Sequence, residues 1–480
     1  MEIKALTIQS ALAGLRTKQF TAVDVVGACL TNVKKFNEDY QALLAVVDED
    51  VLMAQAKDID ATDYSLPLSG IPIVLKDLFT SDGIRTTAGS KVLEQYVPVF
   101  DATVVAKLKA AGAIIIGKAN QDAWGHGSSG ENSDYTPTKN PYDPSRVPGG
   151  SSSGSAAAVA LGMCLAATGT DTGSSVRLPA AFCNLVGLKP TYGRVSRYGI
   201  IAMASSFDTI GHITKTVYDN ALICEITAGK DAYDATTSEI PVPQYTNKLD
   251  IKLQGVKIGL PKEYFGLHGM DPRVSDVTRT AIKKLEDLGA RIVDVSLPHT
   301  SVAMACYYIL VPSEVSSNLA RFDGVRFGNG RETFGMEAKR RMMIGTYALS
   351  SGYYDAYYKT AAQIRTLIKK DFDDVFGAVD VLVAPSSPTL PFAIGQKSND
   401  PVAMYLSDIF MCPVNIAGVP AVNVPCGFVG DLPVGMQIIG PQFGEERIYQ
   451  IASIYEKETQ WYKKTPKILT TNRLSALRFM

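Results

Sequence analysis

Two short β-branched runs in the first quarter of the chain constrain its fold more than any other feature. They are GIPIVLKD at residues 70–77 and GAIIIGKA at residues 112–119, and a helical pattern, VVAKLKAA, lies between them. Short apolar runs bounded by glycine and proline are typical of strands that are buried on both faces of a sheet. Strands that alternate with helices in this way predict an α/β architecture.

Helical patterns surround these strands. Thr7 and Thr21 are predicted N-caps of two amphipathic helices in the first fifty residues, because apolar residues follow each threonine at helical spacing. The small residues of GSAAAVALGMCLAA predict a tightly packed helix over Ala156–Ala167. Residues 271–370 are predicted to be mainly helical, and AGVPAVNVPCGFVGDLPVGMQIIG at residues 417–440 returns to strands and turns.

Composition argues against several classes of protein. The 47 Lys and Arg residues nearly balance the 48 Asp and Glu residues, so the net charge is −1 and no global field favours nucleic acid or an anionic membrane. The seven cysteines are scattered and never form a C-x-x-C pair, which predicts reduced thiols and neither disulfides nor a zinc site. No apolar run resembles a signal peptide or a membrane span, so we expect a cytoplasmic protein.

Two motifs that resemble known sites are rejected. GAIIIGKA has the glycine and lysine spacing of a phosphate loop, but Ala119 replaces the hydroxyl residue of that loop and isoleucines fill it. GSSSG at residues 150–154 matches a nucleophile elbow around Ser152, which would need a histidine base. The chain has four histidines, none in a context that nominates it as that base: His126, His212, His268 and His299.

Lys76 is the candidate base, because the chain carries many hydroxyls in glycine-rich loops and few histidines. A lysine must be neutral to accept a proton, so its reference pKa of about 10.4 must fall by roughly 3 units. The run IPIVL directly before Lys76 is predicted to be a buried strand, and burial lowers the pKa of a lysine. The alternative is a lysine that is simply exposed at the end of a strand.

Two further segments resemble a known family. PGGSSSGSAAAVA at residues 148–160 and GTDTGSSVRLPAAFCNLVGLKPTYGRVSRYG at residues 169–199 are similar, together with GIPIVLKD, to the amidase signature family in order and spacing. The resemblance implies an α/β/α fold with a large mixed central sheet and helices on both faces. It also implies a single amidase domain over residues 1–480, with a signature core at about 60–215 and a mainly helical insertion at about 271–370.

The same resemblance implies the catalytic residues. Ser175 corresponds to the nucleophile, Ser151 to a bridging serine that follows a cis peptide bond, and Lys76 to the base. Such a triad relays a proton from Ser175 through Ser151 to neutral Lys76 while Ser175 attacks the amide carbon. The backbone N–H groups expected to stabilise the oxyanion belong to Thr172, Gly173, Ser174 and Ser175.

Three positions near the triad depart from the family pattern. Ser153 and Ser174 stand where family members usually carry glycine, and a serine at position 174 would be strained if its φ were positive. His126 stands where close relatives often carry methionine. We interpret His126 as a neutral histidine in the pocket wall, and a catalytic role is the alternative.

Longer segments narrow the resemblance within the family. GKANQDAWGHGSSGENS, KRRMMIGTYALSSGYYDAYY and MYLSDIFMCPVNIAGVPAVNVP are similar to the glutaminase components of glutamyl-tRNA(Gln) amidotransferases, whose ammonia converts glutamyl-tRNA(Gln) to glutaminyl-tRNA(Gln). The resemblance implies that Arg341 binds the α-carboxylate of glutamine and Asp408 its α-ammonium group, which suits the charges of both ends. Tyr308 is a further substrate-binding candidate, with Tyr307 as the alternative.

The resemblance also implies partners. A GatB-like partner would use ATP and magnesium to activate glutamyl-tRNA and would receive ammonia through a tunnel, while a GatC-like partner would steady the heterotrimer. The tRNA would contact mainly the GatB-like partner, and this chain would need no metal or cofactor of its own. Two other functions stay open, a free-standing amidase for another carboxamide and a catalytically inactive scaffold.

Overall fold

A mixed sheet of eleven strands organises the computed structural model, which describes residues 3–267, 269–326 and 328–467. The strands are β1 (Leu43–Val46), β2 (Pro72–Lys76), β3 (Ile114–Ala119), β4 (Ala166–Asp171), β5 (Val186–Lys189), β6 (Thr209–Thr214), β7 (Lys257–Pro261), β8 (Arg291–Val295), β9 (Val381–Pro385), β10 (Ala421–Val429) and β11 (Leu432–Ile439). Their order across the sheet is β1-β3-β2-β4-β6-β5-β10-β11-β9-β7-β8. Strand β2 pairs in parallel with β3 and β4, and β7 pairs in parallel with β8 and β9, whereas the other pairings are antiparallel.

The helices connect these strands and pack against them. They are α1 (Ile8–Arg16), α2 (Ala22–Tyr40), α3 (Glu49–Asp60), α4 (Thr103–Ala110), α5 (Ser153–Ala160), α6 (Arg177–Phe182), α7 (Val217–Thr227), α8 (Lys262–Phe265), α9 (Pro272–Asp287), α10 (Thr300–Asn318), α11 (Met336–Ala348), α12 (Thr360–Phe376), α13 (Pro401–Tyr405), α14 (Cys412–Ala417) and α15 (Glu445–Thr459). A π-helical turn at Asp355–Lys359 leads into α12.

Apolar side chains cover both faces of the sheet. In β9, Leu382 belongs to one buried apolar cluster and Val383 to another, and Ile439 and Ile438 of β11 divide between the same two clusters. Successive residues of a strand point to opposite faces, so each face has its own core. This arrangement confirms the predicted α/β fold with a large mixed sheet, and the prediction of a single domain over residues 1–480 stays a prediction.

The first two helices begin where the sequence predicts. The Thr7 hydroxyl accepts a hydrogen bond from the Ser10 N–H, and the Thr21 hydroxyl accepts one from the Asp24 N–H. In both cases the backbone N–H of the cap residue donates a hydrogen bond to the side chain of the third helix residue, which completes a capping box. The predicted N-caps are therefore confirmed.

The serine-rich helix is shorter than predicted. Helix α5 begins at Ser153 and ends at Ala160, whereas the prediction placed a helix over Ala156–Ala167. Gly162 ends it, because its φ of 70° is left-handed and the Met163 N–H turns back to the Ala158 carbonyl. The last two residues of the predicted helix, Ala166 and Ala167, begin strand β4 instead.

The segment at residues 271–370 is mainly helical, as predicted, but it also contains a strand. Strand β8 pairs in parallel with β7 at the edge of the sheet. Its side chains are all exposed or half-buried, so the strand lacks the apolar run that identifies β2 and β3 in the sequence. A short edge strand of this kind is difficult to recognise from the sequence alone.

All seven cysteines are buried and none forms a disulfide, as their spacing predicts. No helix in the described ranges is long and apolar enough to cross a membrane. Of the four histidines rejected as a catalytic base, His268 lies outside the described residues.

Candidate active site

Lys76 ends strand β2 with its side chain fully buried. Its Nζ lies 2.7 Å from the Ser151 Oγ and 2.9 Å from the Thr170 Oγ1, and it donates a hydrogen bond to each. Its backbone N–H donates to the Thr168 Oγ1 at 3.0 Å. Both threonines lie on β4, so the parallel pairing of β2 with β4 places Lys76 opposite the hydroxyls that contact it.

Burial is the main electrostatic influence on Lys76. It lowers the pKa of the ammonium group to about 7, and the more distant carboxylates of Asp122, Asp171 and Asp208 oppose this shift. Within the described ranges Lys76 forms no ion pair, and its Nζ donates only to hydroxyls. The pKa has therefore moved in the direction that a general base at neutral pH requires.

Ser151 lies in a tight loop before helix α5. The peptide bond between Gly150 and Ser151 is cis, as the resemblance implies. A Cβ on Gly150 would lie 2.0 Å from the Asp122 Oδ2, so only glycine fits at that position. The Asp122 N–H donates to the Ser151 carbonyl at 3.2 Å, which fixes this loop to the end of β3.

Ser175 lies on the neighbouring loop between β4 and α6. Its carbonyl accepts a hydrogen bond from the Ser152 N–H at 3.1 Å, so the two serine-bearing loops are joined through their backbones. The Ser175 side chain is 6% exposed, and its hydroxyl makes no hydrogen bond to another group in the described part of the chain. The structure thus brings Lys76 and Ser151 into contact and places Ser175 beside them without a bond between the two serine hydroxyls. Catalytic hydrogen bonds often tighten only when substrate binds.

Four backbone N–H groups of this loop have no hydrogen-bond acceptor among the described residues. Those of Thr172, Gly173, Ser174 and Ser175 donate to no other group among the residues that the structure describes. The Thr172 hydroxyl donates to the Asp208 Oδ1 at 2.7 Å, which anchors the start of the loop. Unpaired N–H groups beside a nucleophile are the arrangement that an oxyanion hole requires.

Arg177 holds the other end of the loop. Its guanidinium is fully buried and forms a bidentate pair with Asp171 at 3.0 Å for both bonds. It also donates to the Gly173 carbonyl, the Asn415 Oδ1 and the Gln437 Oε1. The bidentate geometry fixes the guanidinium plane and thereby the course of the backbone around Ser175.

Arg341 and Asp408, the predicted substrate residues, are both buried, and Asp408 contacts this loop through Ser174. The Arg341 Nε donates to the Glu337 Oε1 at 2.8 Å, one helical turn earlier on α11. Its two terminal nitrogens make no hydrogen bond to any described residue. Asp408 accepts hydrogen bonds from the hydroxyls of Ser128 and Ser174, the latter at 2.6 Å. One guanidinium edge and one carboxylate therefore remain available to a ligand.

The two tyrosines of α10 face different parts of the site. The Tyr308 ring stacks on Tyr405 with centroids 3.7 Å apart, and the Arg341 guanidinium lies over it at 5.5 Å. The Tyr307 hydroxyl instead approaches the nucleophile loop, because a Cβ built on Gly173 would lie 2.7 Å from it. Tyr308 is thus the tyrosine that packs against Arg341, and Tyr307 is the one beside Gly173, while the choice between them as a substrate residue stays a prediction.

Comparison with known proteins identifies the family. A family model described as amidase matches residues 24–449. The chain belongs to the amidase family. The glutamyl-tRNA(Gln) amidotransferase A-subunit of Chloroflexus aurantiacus is 51% identical over 98% of this amidase and 99% of that protein. The corresponding protein of Geobacillus kaustophilus is 50% identical over 94% and 97%. A crystal structure of the Thermotoga maritima counterpart has a TM-score of 0.84 and 40% identity, and the match covers 98% and 99% of the two chains.

The structure describes the surroundings of all three positions at which this amidase departs from the family pattern. Neither Ser153 nor Ser174 has a positive φ, so the strain expected at position 174 does not arise. His126 is fully buried, and both ring nitrogens lack a hydrogen-bond partner among the described residues. Burial, with help from the charge of Arg341, holds the pKa of His126 well below the usual range, which favours the neutral ring.

Several contacts of this amidase were missed in the sequence. Thr170 contacts Lys76, Ser128 contacts Asp408 and Glu337 contacts Arg341. Glu337 had a local signal, since an acidic residue four positions before an arginine on a helix pairs with it readily. Thr170 and Ser128 had none beyond their place in serine- and threonine-rich loops. Among the described residues, no three His, Cys, Asp or Glu side chains are grouped to hold a metal ion.

Proposed function

We propose that this chain is the glutaminase of a larger complex, which releases ammonia from glutamine for the conversion of glutamyl-tRNA(Gln) to glutaminyl-tRNA(Gln). One observation carries the proposal: a buried carboxylate, Asp408, contacts the loop of Ser175 through Ser174, and a buried guanidinium, Arg341, lies close enough to Asp408 to lower its pKa. These charges match the α-carboxylate and the α-ammonium group of free glutamine. The names of the relatives that are about half identical over nearly the whole chain support the same substrate.

The proposed reaction proceeds through an acyl-enzyme. The Ser175 Oγ attacks the side-chain amide carbon of glutamine, its proton passes to Ser151, and the Ser151 proton passes to neutral Lys76. The free N–H groups at Thr172 to Ser175 stabilise the negative charge on the amide oxygen. The C–N bond then breaks, the nitrogen takes a proton back through Ser151, and ammonia leaves. Water attacks the ester by the same relay and releases glutamate.

The proposal places the chain in a cytoplasmic complex with a GatB-like and a GatC-like partner. The GatB-like partner would receive the ammonia, bind most of the tRNA and use ATP and magnesium to activate glutamyl-tRNA. The chemistry assigned to this chain needs only its own side chains and backbone. An inactive scaffold is a poor alternative, because the contact between Lys76 and Ser151 has no other evident purpose.

The test measures whether Arg341 and Asp408 recognise the amino-acid end of the substrate. The measurement is kcat/KM for glutamine relative to that for a simple aliphatic amide, with the GatB-like and GatC-like partners present. Arg341→Ala and Asp408→Ala should each lower the glutamine value by about 30- to several-thousand-fold, since losing a buried charged contact costs roughly 2–5 kcal/mol. The aliphatic amide should change far less.

Arg340→Ala is the matched control. Arg340 is the neighbour of Arg341 on α11 and pairs with the same Glu337, but its side chain is 42% exposed. It should leave the ratio of the two substrates unchanged. If Arg341→Ala and Asp408→Ala also leave that ratio unchanged, the chain is better described as a free-standing amidase for another carboxamide.

A further inference from the structure

The Asp408 carboxylate is held by two serine hydroxyls from two different loops. The Ser174 Oγ donates to its Oδ1 at 2.6 Å, and the Ser128 Oγ donates to its Oδ2. All three residues are buried, with exposures of 1%, 3% and 4% for Ser174, Ser128 and Asp408. Each loop therefore holds a different oxygen of the carboxylate.

This arrangement leaves part of the hydrogen-bonding capacity of the carboxylate unused. An ionised carboxylate has about four lone-pair sites, and the two serine hydroxyls occupy one on each oxygen. The remaining site on each oxygen can accept a hydrogen bond from an ammonium group. Ser174 also directly precedes Ser175, so its bond fixes Asp408 to the backbone beside Ser175.

We propose that Ser174 and Ser128 are positioning residues that determine specificity for amides with an α-ammonium group, by holding the Asp408 carboxylate in its receiving orientation. The inference rests on the proposed function, because it takes Asp408 as the ammonium site. It gives the hydroxyl of Ser174 a purpose that glycine at this position could not serve. Ser153, the other departure from the family glycines, provides the contrast, since its buried hydroxyl has no partner among the described residues.

The charges around Asp408 determine how activity on glutamine depends on pH. Burial raises the pKa of Asp408 to about 6, while the hydrogen bonds from Ser128 and Ser174 and the charge of Arg341 lower it. Other ionisable groups also face it, namely Asp171 on β4, Tyr307 and Tyr308 on α10, Lys397, and Cys412 on α14. Loss of either serine hydroxyl thus raises the pKa of Asp408. A protonated Asp408 cannot pair with an ammonium group. As the pH is lowered, a variant with a raised Asp408 pKa therefore begins to lose activity on glutamine at a higher pH than the wild type does.

The experiment compares two substrates that differ only in the ammonium group. These are glutamine and glutaric acid monoamide, which keeps the carboxylate and the amide but lacks the α-amino group. Ser174→Ala and Ser128→Ala, in complex with the GatB-like and GatC-like partners, are compared with the wild type and with Ser153→Ala. The readouts are KM, kcat and the pH dependence of kcat/KM for each substrate.

Ser174→Ala and Ser128→Ala should each lower kcat/KM for glutamine by roughly 10- to 100-fold, mainly through KM, since a hydrogen bond to a charged group is lost. The step of the glutamine profile that belongs to Asp408 should move from about pH 6 toward the pH near 7 at which Lys76 titrates, while the monoamide profile and Ser153→Ala keep wild-type behaviour. Equal losses on both substrates would mean that the serines only support the loop, and unchanged kinetics on both would mean that they do not position Asp408. Either result overturns the inference. A wild-type complex that does not hydrolyse glutamine instead overturns the proposed function.

Discussion

Two buried lysines lie on adjacent parallel strands and have different surroundings. Lys76 ends β2, Lys118 lies on β3, and both side chains are fully buried. Burial lowers the pKa of Lys76 to about 7 and that of Lys118 to about 8. Lys118 lies 3.8 Å from the Asp77 Oδ1, whereas Lys76 has only hydroxyls as hydrogen-bond acceptors within the described ranges.

The difference shows that a lowered pKa does not by itself make a lysine a base. Lys118 also donates to the Phe79 carbonyl and the Thr86 hydroxyl, and its nearby carboxylate favours the charged form. Lys76 contacts Ser151, which can pass it a proton. Lys118 is also the lysine of the rejected phosphate loop, and it is buried in the protein with no access to a phosphate. The following predictions test this contrast.

The largest effect is expected from the triad itself. Lys76→Ala and Ser175→Ala should each lower kcat by about 10⁴-fold or more, because they remove the base and the nucleophile. The double variant should be scarcely worse than either single variant, since the residues act as a unit. Steady-state ammonia release measures this. Losses that multiply in the double variant would show that the two residues act independently.

The second-largest effect is expected from Ser151→Ala, which should lower kcat by several orders of magnitude because it interrupts the proton relay between Ser175 and Lys76. Ser152→Ala is the matched control. Its hydroxyl is buried beside the relay but has no hydrogen-bond partner among the described residues. Ammonia release by the two variants gives the comparison, and a larger loss for Ser152→Ala would revive the nucleophile elbow around that residue.

A third prediction concerns stability, for which Lys118 should matter more than Lys76. Lys118→Met should lower the free energy of unfolding by about 3 to 5 kcal/mol, because it leaves the buried Asp77 carboxylate without its cation. Adding Asp77→Asn should restore part of the loss. Lys76→Met should not lower the melting temperature, since burial disfavours the charged form of that lysine. Thermal and denaturant unfolding measure the stability of both variants. Equal destabilisation by Lys118→Met and Lys76→Met would show that the two lysines do not differ in their contribution to stability.

The smallest effect is a pH dependence. In the proposed mechanism neutral Lys76 is the reactive form, and burial lowers its pKa to about 7, so kcat/KM for an uncharged amide should be constant above that pH. Below pH 7 it should fall by about tenfold per pH unit as Lys76 becomes protonated. The uncharged substrate keeps the titration of Asp408 out of the profile. A profile that is flat from pH 5 to pH 8 would exclude Lys76 as the titrating base.

Local patterns predicted much of the fold, whereas the candidate triad came from the resemblance to the amidase signature family. The apolar run before Lys76 predicts its burial, and hydroxyl caps predict the first two helices. Contacts between distant residues were not predictable in this way. The bond from Ser174 to Asp408 joins residues 234 positions apart, and nothing in either segment indicates it. The early end of α5 depends on a left-handed backbone at Gly162, while its sequence of small residues fits a longer helix equally well.

The bonds of Arg177 have a consequence for synthesis on the ribosome. This arginine fixes the nucleophile loop partly through the Gln437 Oε1 of β11, at 3.0 Å, which lies 260 positions later in the chain. A nascent chain that has grown only past Ser175 therefore has its nucleophile but lacks a group that shapes the loop. Contacts of such long range form late, because the intervening chain must be made and ordered first. The growing polypeptide should consequently remain unable to release ammonia until almost the whole chain has been translated.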